Sequence, residues 1–293
     1  MSTESIGARY HGLDAWPSRD ILDVFIEGQM AAIAAVRAAA GQIEAAAEAV
    51  TARMRSGGRL VYVGAGTSGR LALLDGVELM PTFDWPDDRV VYLIAGGENA
   101  LIKAVEGAED DREAGKRDII DAKVSAKDAV IAVAASGTTP YTIAALETGR
   151  AAGALGIGIA NNASAPLLAA AELPILLDTG PEAIGGSTRM KAGTAQKATL
   201  NLLSSLVMTR LGRVHDGYMV DLRATNIKLK KRSEKMLMDI AGIGAEAARD
   251  ALQRCNGRVK PAVLVAKGLT PDAAEKALDA AGGSLRQALK TIA

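Results

Sequence analysis

Five short apolar runs, each ending in small or hydroxylated residues, constrain this chain more than any other feature. Arg59-Leu-Val-Tyr-Val63 breaks into Gly64-Ala-Gly-Thr-Ser-Gly69, and Arg89-Val-Val-Tyr-Leu-Ile-Ala95 into Gly96-Gly97. Ala129-Val-Ile-Ala-Val-Ala134 runs into Ala135-Ser136-Gly137, and Leu155-Gly-Ile-Gly-Ile-Ala160 into Asn161-Asn162. Leu173-Pro-Ile-Leu-Leu177 ends in Asp178-Thr179-Gly180. None of the runs alternates apolar with polar residues, so each reads as a strand covered on both faces. Helical patterns lie between them. Strands alternating with helices predict an α/β fold, a doubly wound parallel five-stranded sheet in a three-layer αβα sandwich. Ligands of such sheets sit at the carboxyl ends of the strands, where these loops fall.

Helical patterns flank the sheet region. From Ile21 to Met54 apolar residues recur every three to four positions in an Ala-rich stretch that Gly57-Gly58 stops. Lys191 to Leu211 reads as a long apolar helix, and the basic stretch Leu222 to Lys235 as a solvated helix face or connector. Three further helical patterns follow, at roughly 236–252, 259–267 and 271–290, the last opened by Thr270 as N-cap and Pro271 at N1. The expected organisation is an N-terminal helical arm (1–56), a sheet domain (57–234) and a small C-terminal three-helix module (235–293).

Composition narrows the function. With 34 basic and 34 acidic residues the net charge is zero, so there is no basic footprint for nucleic acid. Aromatic residues make up 3%, too few for a base-stacking platform. Cys255 is the single cysteine, which excludes an internal disulfide and a multi-cysteine metal site, and His11 and His215 leave little for a zinc centre. Met1 to Asp20 shows no basic segment leading into an apolar one, and no run of about 18 apolar residues suggests a membrane span. The expectation is a cytoplasmic, metal-free protein with no membrane or nucleic-acid partner.

Chemistry concentrates in the loops. Gly64 to Gly69 fits G-x-G-x-x-G, but the next strand ends in Ile94-Ala95-Gly96-Gly97 without the acidic residue that a dinucleotide ribose would need. Thr67 and Ser68 suit a phosphate held at a helix N-terminus. Ser136-Gly-Thr138-Thr139-Pro140 and Ser187-Thr188-Arg189-Met-Lys191 are two more hydroxyl-rich turns. Each alone could be an ordinary helix cap. Three at one sheet edge favour a neutral, hydroxyl-lined phosphate pocket. Glu78 follows the first loop by two to three helical turns, and Glu106 and Glu109 fall on one face if Val105-Glu-Gly-Ala-Glu-Asp110 is helical. A carboxylate pair can act as general acid and base, although most carboxylates are simply exposed. His215 and Cys255 lie in no such constellation.

At these residues the chain resembles the N-acetylmuramic acid 6-phosphate etherases, members of the sugar isomerase (SIS) fold group that are similar to the glucokinase regulatory protein. The likeness runs from about residue 59 to the end. It is carried by Gly64-Ala-Gly-Thr-Ser-Gly-Arg-Leu71, Val105-Glu-Gly-Ala-Glu-Asp110, Ala134-Ala-Ser-Gly-Thr-Thr-Pro-Tyr141 and Gly186-Ser-Thr-Arg-Met-Lys-Ala-Gly-Thr-Ala-Gln-Lys197, the last being quite specific. Met219-Val-Asp, Ala224-Thr-Asn226 and Ala281-Gly-Gly-Ser-Leu-Arg-Gln-Ala-Leu289 also match. The resemblance implies cleavage of the D-lactyl ether of N-acetylmuramic acid 6-phosphate to N-acetylglucosamine 6-phosphate and D-lactate, in cell-wall sugar recycling. It maps the general acid onto Glu78 and the base onto Glu109. The sugar phosphate would be held by Ser136, Thr138 and Thr139, with Thr67, Ser68, Ser187 and Thr188 nearby. It implies no cofactor, and a homodimer with shared active sites. Two departures stand out: Val77-Glu78-Leu-Met-Pro81-Thr82 replaces the usual Ser-Glu-x-Pro-Pro-Thr, and Tyr10 to Trp16 differs from the family form. Two other readings of the same fold group are a sugar-phosphate isomerase, for which one base suffices, and a non-catalytic sugar-phosphate-responsive regulator, which would not need both glutamates.

Overall fold

The computed structural model describes residues 3, 5–222 and 226–292. In chain order its main elements begin with α1 (Ser18–Ala38), α2 (Ala40–Arg55), β1 (Leu60–Gly64), α3 (Gly66–Val77), α4 (Leu79–Phe83) and β2 (Val90–Ile94). Next come α5 (Arg112–Asp121), β3 (Ala129–Val133), α6 (Pro140–Ala151), β4 (Leu155–Ala160), α7 (Pro166–Ala170), β5 (Leu173–Leu176) and α8 (Lys191–Arg210). A two-strand ribbon, β6 (Val214–His215) and β7 (Tyr218–Met219), precedes α9 (Ile227–Ala241), α10 (Ala245–Arg254), α11 (Val259–Ala266), α12 (Pro271–Ala280) and α13 (Leu285–Ile292). Two compact units divide the chain: Met1–Gly76 with Asp88–Ser204, and Val77–Asp87 with Ser205–Ala293.

The first unit is built on the sheet. All five apolar runs are strands, all parallel, in the order β2-β1-β3-β4-β5. Every residue of β1, β3 and β4 is buried, as their unalternating sequences require, whereas the edge strands β2 and β5 keep partly exposed positions. Val61, Val63, Val130 and Ala132 meet Tyr141, Ala145 and Leu146 of α6 in one core layer. The predicted N-terminal helix is two, separated at Ala39, whose amide bonds back to both Ala35 and Val36. Gln42 of α2 accepts the Leu176 amide (2.9 Å), occupying a donor that edge strand β5 would otherwise leave free.

The second unit packs its helices around Leu222, Met236, Leu237, Val263, Leu264 and Leu285. Among the described residues its C-terminal part has five helices where the sequence pattern suggests three. Gly242, in the left-handed conformation (φ 70°), ends α9 inside one predicted helix, and Gly282 and Gly283, both at positive φ, separate α12 from α13 inside another. Lys228, Lys230, Lys231 and Arg232 lie on the exposed face of α9. Lys260, almost fully buried, donates to Asp221 and to the Gly283 carbonyl. Arg213 donates to the carbonyls of Phe83 (2.6 Å) and Asp84 (2.8 Å) and stacks on Trp85. Ala224 and Thr225 of the Ala224-Thr-Asn226 motif lie outside the described residues.

Candidate functional site

The strand order places a topological switch point between β1 and β3, from which the chain turns to opposite halves of the sheet. Gly64 pairs with Val133, so the loops after these two strands leave the sheet at the same level. A side chain at Gly64 would stand 2.8 Å from the Gly69 backbone, and this close approach brings the start of α3 against the end of β1. The amides of Thr67 and Ser68 precede the first intrahelical bond of α3, from Gly69 N–H to the Ala65 carbonyl (3.0 Å). They are free to face an anion at the positive end of the helix dipole.

In the second loop Ser136 Oγ accepts from the Thr138 amide (3.2 Å) and the Thr138 hydroxyl (3.0 Å), which leaves the Ser136 hydrogen free to donate outward. Thr139 is the N-cap of α6, yet its side chain makes no capping bond. Asn162 donates to the Ser136 carbonyl (3.1 Å), and the Leu167 amide donates to the Gly137 carbonyl (3.0 Å), fixing the loop from the β4 side.

The third loop, with Ser187 and Thr188, is closed by Glu182. Its buried carboxylate accepts from the amides of Lys191 (3.3 Å) and Ala192 (2.9 Å) at the start of α8. Burial pushes the Glu182 carboxyl above the usual range, while the two amides and the nearby lysine partly offset that shift. Gly193 bridges the first and third loops. An ideal Cβ there would lie 3.2 Å from the Thr188 carbonyl and 3.7 Å from the Thr67 methyl.

Glu109 stands exposed on a short 3-10 turn, Ala108–Asp110, that packs against α6. The expected helical pairing of Glu106 with Glu109 is not formed. Gly107 adopts a left-handed conformation (φ 72°) between them, so Glu106 lies in the preceding turn and off the 3-10 element. Asp111 then caps α5, accepting from the Ala114 amide (2.8 Å). Glu78 belongs to the second unit. It is exposed in the one-residue junction after α3, just past the helix expected to carry it, and as N-cap of α4 its side chain makes no capping bond.

Three supporting residues escape sequence reasoning. Arg70 donates to the carbonyls of Ala100 (2.9 Å) and Leu101 (3.2 Å), tying the segment after β2 to α3. Asn161, buried at the end of β4, accepts from Gln196 of α8 (2.9 Å) and donates to the Leu177 carbonyl (3.1 Å). Glu182 closes the third loop. Only the polar character of Asn161-Asn162 at a strand end signalled any of them. Among the described residues, no group of three or more His, Cys, Asp or Glu could hold a metal ion, and no helix is long and apolar enough to cross a membrane.

Residues 42–150 match the glucokinase regulatory protein N-terminal SIS domain, and residues 111–206 match the SIS domain. A phosphoheptose isomerase from Francisella tularensis has a similar fold, with a TM-score of 0.51 at 19% identity, over 66% of this chain and 97% of that one. The N-acetylmuramic acid 6-phosphate etherase of Deinococcus radiodurans is 53% identical over 288 residues, 98% of this chain and 94% of the relative. The Salmonella schwarzengrund protein of the same name is 44% identical over 279 residues, 95% of this chain and 94% of that relative. At that identity over nearly the whole length, the chain belongs to the N-acetylmuramic acid 6-phosphate etherase family.

Proposed function

We propose that the protein cleaves the D-lactyl ether of N-acetylmuramic acid 6-phosphate, giving N-acetylglucosamine 6-phosphate and D-lactate, and that it acts as a carbon–oxygen lyase. The observation that carries this reading is the 53% identity with the Deinococcus radiodurans etherase across 98% of the chain. The loops at the switch point support it, because they offer neutral hydroxyls and helix-start amides that suit a phosphate ester. In this reading Ser136, Thr138 and Thr139 hold the phosphate, and Thr67, Ser68, Ser187 and Thr188 complete the sugar-phosphate pocket.

The chemistry needs one base and one acid. The sugar opens to its aldehyde, which acidifies the proton on C2, and Glu109 removes that proton. The electron pair moves into the C2–C3 bond and expels the lactyl oxygen from C3, which Glu78 protonates as it leaves. Water then adds at C3 of the unsaturated aldehyde, replacing lactate with hydroxyl. Proton transfers of this kind proceed with positioned carboxyl groups.

We assign the reaction to the cytoplasm and to cell-wall sugar recycling, since a phosphorylated sugar does not cross a bilayer unaided. The protein is read as a homodimer with shared active sites. Leu22, Ile26, Met30 and Ile33 support self-association: they form a stripe at helical spacing on α1 and are each about half or more exposed. Met30→Glu with Ile26→Glu is expected to convert a dimer to monomer in sedimentation. A sedimentation coefficient unchanged by the pair of charges would move the interface elsewhere.

The deciding experiment is D-lactate release from N-acetylmuramic acid 6-phosphate by wild type and Glu78→Ala. Release by wild type that collapses in the variant is expected. No release by wild type would overturn the lyase reading, and undiminished release by the variant would remove Glu78 from the acid role.

A further inference from the structure

The turn bearing Glu109 and the loop bearing Ser136 to Thr139 are mounted on one helix pair. Glu109 lies two residues before the Asp111 cap of α5, and Thr139 is the cap of α6. The two helices meet at Tyr141, in the first turn of α6. Its backbone carbonyl lies so close to Gly115 of α5 that a Cβ there would stand 2.3 Å from the carbonyl oxygen. Its hydroxyl donates to the Asp118 carboxylate, one helical turn further along α5. An ion pair between Arg112 and Glu147 (2.7 Å) lies exposed on the same helix pair.

The two helices are anchored unequally. Helix α6 buries Tyr141, Thr142, Ile143, Ala144, Ala145 and Leu146 and packs on β1, β3 and β4, whereas α5 buries only Gly115 and Ile119. A loosened contact therefore shifts α5, with the Glu109 turn that is joined to its start and rests on α6, and leaves α6 itself in place. Resting on the reading of Glu109 as base and 136–139 as phosphate loop, we propose that Tyr141 is a positioning residue for the reaction. Its carbonyl and hydroxyl together hold α5, and with it Glu109, at a set distance from the bound phosphate. The phosphate fixes the sugar, so this distance decides whether the carboxylate reaches the C2 proton.

The test follows solvent deuterium entering C2 of N-acetylmuramic acid 6-phosphate on the full-length chain, with KM and kcat for lactate release measured alongside. Tyr141→Phe keeps the buried ring and removes the bond to Asp118. It is expected to lower exchange and kcat about tenfold with KM little changed, because the base shifts while the phosphate loop does not. Asp118→Ala should behave in the same way. Asp118→Asn, whose amide oxygen still accepts the tyrosine hydroxyl, should return exchange to near wild type, a rescue that general destabilisation would not produce. Gly115→Ala forces the helices apart and is expected to cost about a hundredfold in kcat, the scale of a misplacement near 1 Å. If that variant does not fold, Tyr141→Phe decides. Exchange at the wild-type rate in Tyr141→Phe, or a raised KM at constant kcat, overturns the positioning role. Glu109→Gln, run in parallel, separates the two readings. If it still exchanges the proton, the base assignment falls and the proposal with it. If it is inactive while Tyr141→Phe exchanges normally, only the positioning role falls.

Discussion

The two ends of β1 and β3 treat polar groups in opposite ways. At the amino end, Asp128 is buried and every neighbour serves it. It accepts from the Arg59 amide (2.9 Å), from Arg59 Nε (3.2 Å) and Nη2 (2.8 Å), and from the Ser125 amide (2.9 Å). At the carboxyl end of the same strands, Ser136 keeps its proton free, Thr139 caps nothing, and the first amides of α3 precede the helix's hydrogen-bond ladder. Both ends are hydrophilic in sequence. One end is internally satisfied, which locks the start of the sheet. The other leaves donors open beside a helix dipole, where an anion can take them. In the proposed reading, donors left unused at the switch point, more than polarity itself, mark the working edge.

The largest effect that would test this contrast is at Asp128. Asp128→Ala leaves the Arg59 guanidinium and two amides without their acceptor, and is expected to cost about 3 kcal/mol in urea unfolding. The KM of the remaining folded enzyme should stay at the wild-type value. A cost below about 0.5 kcal/mol, the range of an ordinary surface change, would show that the amino end is no better satisfied than the other. The same carboxylate gives a pH signature. Burial alone would push the Asp128 carboxyl up, but the hydrogen bonds and charge of Arg59, with the Ser125 amide, outweigh it and hold the carboxyl below its ordinary value. A depressed folded pKa means that the unfolded chain binds the proton more readily. The stabilisation is therefore complete above the ordinary carboxylate range and is lost as the pH falls through the lowered folded value. Asp128→Asn should flatten that acid limb, and an acid limb identical to wild type would assign it to other carboxylates.

The sheet was legible because its signal is local and redundant. Val61 to Val63, Val130 to Val133 and Ile157 to Ile159 lie in strands buried on both faces, and a central parallel strand has no polar face to confuse the pattern. The three hydroxyl-rich segments were legible as the connections that lead from β1, β3 and β5 into α3, α6 and α8, although each hydroxyl alone could be a helix cap. Position within turns was harder to read. Glycine at 107, 242 and 282 reverses the sign of φ and breaks elements that apolar spacing joins, so Glu106 parts from Glu109 and three helical patterns become five helices. The roles of Glu182, Arg70 and Tyr141 could not be read in advance, although Arg70 and Tyr141 lie in matching segments, since each acts through a partner chosen by the tertiary fold: the start of α8, the carbonyl of Ala100, and Gly115 with Asp118.

At the carboxyl end the expected effects move from stability to binding. Ser136→Ala removes a donor that the fold does not use, together with the acceptor of two exposed bonds from Thr138, so unfolding free energy should fall by no more than about 1 kcal/mol. KM for N-acetylmuramic acid 6-phosphate should rise by the 10- to 150-fold that corresponds to about 1.5–3 kcal/mol for a hydrogen bond to a charged group. The reverse outcome, a stability loss without a KM change, would make Ser136 part of the scaffold and place the phosphate elsewhere.

The finest discrimination comes from two threonines in the same formal position. Thr139 and Thr270 are both N-caps followed by proline, α6 and α12 respectively, and as Thr-Pro pairs alone they are alike. Thr270 accepts the Ala273 amide (3.2 Å), whereas the Thr139 side chain makes no such bond. Thr270→Ala should therefore cost about 1 kcal/mol of stability, the usual worth of a capping hydroxyl, and leave KM unchanged. Thr139→Ala should do the opposite: little loss of stability, and a KM rise comparable to that of Ser136→Ala. If both variants lose the same stability and neither alters KM, Thr139 is an ordinary cap in solution, and the hydroxyls of the second loop lose their claim to the phosphate. If the two split as expected, the difference lies in which cap hydroxyl the helix leaves unoccupied.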